Sequence, residues 1–247
     1  MKKIIYILSV IVLFGCNSEN APDCFQNAGD SIQKEVEVST FTKITSFKNV
    51  ELFIAQGLTQ KVVIETGEYL MDDIEITVEN GRLLLKDNNA CNLTRDYGLT
   101  KIYVTTPNLT EIRNSSQFAV NSIGILSFET LDLLSEDYSG DYYNVGDFNL
   151  EVNTTNLKIV TNNITNVFAS GNTENLNVQF ASGAGRFEGR YLIAQNVRVN
   201  HRGSNDVIVN PQLSLIANLV STGDVIAVNT PLSVDITEQF DGRVIFE

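Results

Sequence analysis

Beyond residue 20 the apolar residues fall in short alternating runs, broken by Asn, Gly, Ser, Thr and Asp. No stretch there keeps apolar residues at i, i+3, i+4 and i+7, so the pattern predicts strands and turns rather than helices. Val50–Ala55 and Lys61–Glu65 read as two strands. Ile74–Val78 and Arg82–Leu85 flank Asn80-Gly81, a dipeptide that accepts the positive φ angles of a tight hairpin. Ile102–Val104 is another strand, stopped by Pro107.

From about residue 107 the pattern repeats. Phe118 with Val120, Val167 with Ala169, Val207 with Val209, and Val225 with Ala227 are apolar pairs two apart, so each pair shares a strand face. Tyr142 and Phe187 take the first position in two further copies, followed by Asn144 and Gly189. Two residues before the first position stand Ser116, Gly140, Thr165, Gly185, Asn205 and Gly223, all small or turn-prone. A second alternating strand precedes most copies, as in Leu131/Leu133, Leu157/Ile159, Leu176/Val178, Val197/Val199 and Leu215/Ala217. A period of about 20 residues with two or three short strands is the mark of a β-solenoid, whose repeats bury their apolar faces only by stacking. The expected fold is therefore all-β: a right-handed parallel β-helix (β-solenoid)-like stack with a strand-rich N-terminal part. An antiparallel β-sandwich with evenly spaced hairpins is the alternative.

The chain opens differently. Lys2 and Lys3 precede an apolar run from Ile4 to Phe14 that only Ser9 interrupts. That run is far short of the ~20 residues of a spanning helix and reads as a signal peptide, residues 1–15. It ends in Leu13-Phe14-Gly15-Cys16, which resembles a lipobox, with Cys16 as the acylated new N-terminus. Phe14 is bulkier than the usual residue there. Residues 16–35 then form a polar tether. The head domain is expected over 36–247, with N-terminal strands in 36–106 and repeat coils in 107–247.

Charge narrows the function. Removing the leader takes two lysines and no acids, leaving 15 basic against 30 acidic residues, a net −15. Such a chain is repelled by phosphates, so nucleic acid is not an expected partner, and neither is a bare anionic lipid surface. With Cys16 taken by lipid, Cys24 and Cys91 are left as one candidate disulfide in an oxidising compartment. Two cysteines and the lone His201 make a poor zinc set, so no metal or cofactor is implied.

The order of short motifs resembles a known family. After the lipobox come Asp23-Cys24-Phe25-Gln26, Gly29, Phe41, Ile44 and Val50. Asn80-Gly81-Arg82-Leu83, the segment Cys91 to Tyr97, Ile102 to Leu109 and Ser182-Gly183-Ala184-Gly185 follow. This is similar, over essentially the whole mature chain, to the Bacteroidetes autotransporter-adhesin family with a head GIN domain. Asn114-Ser115-Ser116 departs from the Ser-Gly corner of that family. The resemblance implies a β-helical fold and a cell-envelope location. Its adhesin label rests on fold likeness, so no catalytic residue comes with it.

Candidate chemistry is sparse. Asp141, Asp206 and Asp224 share one repeat position and would suit Ca²⁺, but Arg186 occupies the same position in another copy and breaks the column. His201-Arg202 with Asp206 is the nearest ionisable cluster, though charged corners are ordinary in such folds. Tyr138, Tyr142 and Tyr143 beside Asp137 and Asp141 form an aromatic-acidic patch. Alternation there leaves Tyr138 and Tyr143 as ligand-contact candidates. Asp30-Ser31-Ile32 resembles an O-glycosylation acceptor of this phylum, with Ser31 as the acceptor. The expected function is a non-enzymatic binding or adhesion module for an extended glycan or protein, tethered to the outer membrane on its periplasmic face or at the cell surface. A structural envelope scaffold is the alternative, and a polysaccharide-active enzyme a more distant one.

Overall fold

Alternation gives each strand one face to bury, and in four long strands that face meets a common core. These are β11 (Phe148–Thr161), β12 (Val167–Phe180), β13 (Phe187–His201) and β14 (Val207–Leu219) in a computed structural model that describes residues 23–89, 91–93, 95–136 and 143–247. The four run parallel, each about 20 residues after the last. Their first halves align Phe148, Val167, Phe187 and Val207, and their second halves align Leu157, Leu176, Val197 and Leu215. All eight are buried. The buried parity shifts between Thr154 and Leu157, so β11 changes its inward face where its two halves meet.

The stack extends both ways. β15 (Val225–Ala227) and β17 (Val244–Phe246) continue the first column, and β16 (Ser233–Glu238) continues the second. On the other side β9 (Val120–Leu126) pairs with the first half of β11, and β10 (Thr130–Ser135) with its second half. β2 (Lys43–Ser46) lies parallel between β6 (Arg82–Asp87) and β8 (Glu111–Asn114). β3 (Val50–Gln56) lies parallel between β7 (Thr100–Thr106) and β9. The chain thus starts the stack from within and adds layers on either side.

Antiparallel strands close the N-terminal end. β4 (Lys61–Gly67) pairs with β7 and with β1 (Ser31–Val36), and β5 (Ile74–Glu79) pairs with β6. The β5–β6 turn is the Asn80-Gly81 hairpin that the sequence predicts, with φ of 51° and 74°. Among the described residues all strands join one hydrogen-bonded sheet, and helix is confined to two short 3-10 turns. The fold is all-β.

Polar stacking supports the apolar core. Asn175 donates to Asn156 Oδ1 (3.0 Å), Asn196 to Asn175 Oδ1 (3.2 Å), and the Ser214 hydroxyl to Asn196 Oδ1 (2.9 Å). The ladder runs along the outward position just before the leucine column. Each buried leucine or valine in that column contributes about 1.5–3 kcal/mol by leaving water.

Two sequence expectations change. Residues 31–35, assigned above to the tether, lie in β1 and pair with β4, because Ser31–Val36 meets Val62–Gly67 edge to edge. The repeat phase also moves at the Phe118 copy. Val120, not Phe118, stands opposite Phe148, and Phe148 and Leu150 are the buried pair of that layer. Asn144 is buried with φ of 45°, a turn conformation. Tyr142 and Gly140 lie outside the described residues.

Candidate functional site

Outward positions of a polar-faced sheet are ordinarily occupied by polar residues. Phe168 departs from this. It stands between buried Val167 and Ala169, so its ring points outward and is 40% exposed. In register beside it lie Asn149 of β11 and Glu188 of β13. One pleat further along, Glu151 pairs with Ser170. The same face carries Tyr191, 77% exposed.

Tyr191 is presented by an irregularity. Between Glu188 and Leu192, β13 carries more residues than β12 or β14, and the register shifts on both sides. Such bulges re-aim side chains. Leu192 is buried below, while Arg190 binds Glu247 and approaches Glu188 at 4.0 Å. The hydrogen bond from Arg190 holds the Glu247 carboxyl below the usual carboxylate range. Phe168, Tyr191, Asn149, Glu151, Ser170 and Glu188 line a shallow depression of about 450 Å³. Glu151 has no ion pair among the described residues.

A second depression of about 550 Å³ lies further along the same strands, lined by Asn153, Thr155, Asn172, Glu174, Ile193 and Gln195. Ile193 is two residues beyond Tyr191, so a strip of rings, amides and carboxylates crosses β11, β12 and β13. The sequence reading missed Phe168 and Tyr191. A phenylalanine at outward parity and a repeat one residue longer than its neighbour were the available signals.

The residues singled out from the sequence are scattered. Cys24 and Cys91 are joined by a disulfide, and the Leu93 N–H donates to the Cys24 carbonyl beside it. Tyr143 is exposed, with its N–H donating to the Ser115 carbonyl. Ser31 opens β1 and is exposed. Cys16, Tyr138, Asp137 and Asp141 lie outside the described residues. Asp206 is ion-paired with Arg186 at 2.9 Å, and Asp224 accepts the Arg243 N–H. These two carboxylates are thus held by neighbours in the stack.

His201 is buried, donates from Nε2 to the Asn205 carbonyl (2.7 Å), and accepts the Gly203 N–H at Nδ1. Burial holds its pKa below the usual histidine value. A small polar cavity of about 170 Å³ near the disulfide loop contains Asp87, Asn89 and Arg95. There Asp87 accepts from Thr100 Oγ1 (2.6 Å) and from Asn89, while burial raises its pKa. Arg95 donates to the Gln26 and Cys91 carbonyls. These groups are structural braces.

Residues 40–231 match the family model described as "Putative auto-transporter adhesin, head GIN domain". The chain belongs to this family. Proteins of similar fold have been solved. A Bacteroides fragilis NCTC 9343 protein described as a putative adhesin aligns with a TM-score of 0.78 at 19% identity, over 88% of this chain and 97% of that one. A protein from Parabacteroides distasonis ATCC 8503, described as a putative lipid binding protein, gives 0.61 at 16%, over 88% and 94%. A third, from Parabacteroides merdae ATCC 43184 and described as a putative adhesin, gives 0.54 at 16%, over 89% and 97%. At these identities the likeness is one of fold. No curated protein matches the chain.

Proposed function

We propose that this protein is an exported envelope lipoprotein whose head is a β-solenoid that captures an extended partner without catalysing a reaction. The observation that carries the binding role is the strip on β11, β12 and β13. Two large rings there face solvent beside Asn149, Glu151, Ser170 and Glu188, which marks a contact surface. The register of about 20 residues per layer supports the solenoid reading. Its length suits a glycan chain or an elongated protein. The lipobox-like Leu13 to Cys16 supports attachment to the outer membrane, on its periplasmic face or at the surface. The buried, doubly hydrogen-bonded His201 argues against acid–base work at that corner.

A scaffold reading has one observation in its favour. Val234 and Phe246, at inward positions of the last strands, are 42% and 38% exposed, so the core is open at that end. A partner in the envelope would cover it.

The first test is protease treatment of intact cells with periplasmic markers protected. Digestion supports capture at the surface. Protection, with cleavage after lysis, removes direct adhesion and favours the periplasmic scaffold.

A further inference from the structure

We infer that the Phe168–Tyr191 depression is a saccharide subsite that takes a neutral pyranose unit of a glycan. The inference rests on the binding-module reading and names its ligand class. A pyranose has one C–H face and a rim of hydroxyls. The depression offers the matching pair: two exposed rings, with hydrogen-bonding groups beside them at the spacing of adjacent strands, about 4.8 Å. Asn149 flanks Phe168 in register, and Glu151 and Ser170 lie one pleat away on the same face. Glu151 and Ser170 make no side-chain hydrogen bond among the described residues, so both are available to hydroxyls. Asn149 donates to Asn121 Oδ1, which leaves its own Oδ1 as an acceptor.

The site is built rather than incidental. The β13 irregularity occurs where Tyr191 is displayed, and Arg190 is fixed beside it by Glu188 and Glu247. A tyrosine side chain has only two torsions to fix on stacking against a ligand.

Other ligand classes fit less well. A peptide adding as a strand needs an unpaired edge, and β12 and β13 are paired on both sides. An acyl chain needs an enclosed apolar pocket, and this depression is shallow and open. Sulfated or uronic glycans would meet the Glu151 carboxylate, which has no ion pair among the described residues, on a chain of net charge −13. The strip continues into the amide-rich second depression, so the ligand is a chain of sugars rather than a single one.

The test uses the full mature lipoprotein in a detergent without a sugar headgroup. Short neutral gluco-, galacto-, manno-, xylo- and N-acetylglucosamine oligosaccharides are titrated by calorimetry and by saturation-transfer NMR, with uronate oligomers and purified envelope proteins alongside. Binding of at least one neutral oligosaccharide is expected, weakened about tenfold by Tyr191→Ala and by Phe168→Ala, and retained by Tyr191→Phe. Both rings are exposed, so unchanged thermal unfolding checks that the variants keep their fold. Neutral-sugar binding that ignores both ring removals overturns the subsite, as does binding of uronates alone. Binding of an envelope protein without any neutral sugar also overturns it, while leaving the binding-module reading intact. If none of the probes binds, both fall.

Discussion

The Asn175 side-chain amide donates to Asn156 Oδ1 across 3.0 Å and accepts from Asn196 at 3.2 Å, so one residue joins three layers of the stack. Asn175→Asp removes the donor and sets a carboxylate against Asn156 Oδ1. A loss of about 1 kcal/mol is expected, modest because the ladder is exposed. Urea unfolding of the variant against the wild type measures it. An unchanged midpoint would mean that the amides contribute nothing beyond the backbone pairing.

Gly146 sits two residues before the Phe148 anchor, where a Cβ would run into the Phe118 carbonyl. Asn114 Nδ2 donates to the Gly146 carbonyl from the same corner. The crowding partner is backbone and has little room to move. Gly146→Ala should therefore destabilise by about 3 kcal/mol. Thermal unfolding reads this directly, and a wild-type melting temperature would refute the close-packed corner.

His201 has a folded-state pKa depressed by burial. The unfolded chain then binds a proton at higher pH than the folded one. Stability is fully present above the unfolded value, about 6.5, and falls as pH drops toward the folded value. Denaturation midpoints measured from pH 7.5 to about 5 should decline, and the decline should flatten in His201→Asn. An equal slope in the variant would assign the acid sensitivity to the carboxylates.

The Cys24–Cys91 bond closes a loop with a sequence separation of 67 residues. On the loop-entropy account it stabilises by about 4 kcal/mol. Cys24→Ser should lower the denaturant midpoint accordingly and leave one titratable thiol at Cys91 in the unfolded chain. Two reactive thiols in the denatured, unreduced wild type would show that the pair does not form in the cell.

The proposed attachment through Cys16 makes a separate prediction. Cys16→Ser should block acylation and move the protein from the detergent phase to the aqueous phase on phase separation. Radiolabelled palmitate incorporation should vanish with it. Retention in the detergent phase would point to another anchor.

Much of the architecture was legible in the chain. The repeat phase at Val167, Phe187, Val207 and Val225 follows from apolar alternation and small corner residues, and the paired strands keep it. The Asn80-Gly81 hairpin follows from two residues that tolerate positive φ. Phe118 misled because several nearby apolar residues satisfy a two-residue spacing. Only hydrogen bonding to the neighbouring strand selects Val120 and Phe148 as the inward ones.

The sequence by itself determined the all-β character and the period, because these depend on local alternation and turn residues. Tertiary structure decided the rest. That β2 and β3 start the stack from within, that Ser31–Val36 leaves the tether to pair with β4, and that Tyr191 is lifted beside Phe168 all depend on which strand lies next to which. Pairing across tens of residues leaves no local imprint on an alternating chain, since any strand edge offers the same backbone donors and acceptors.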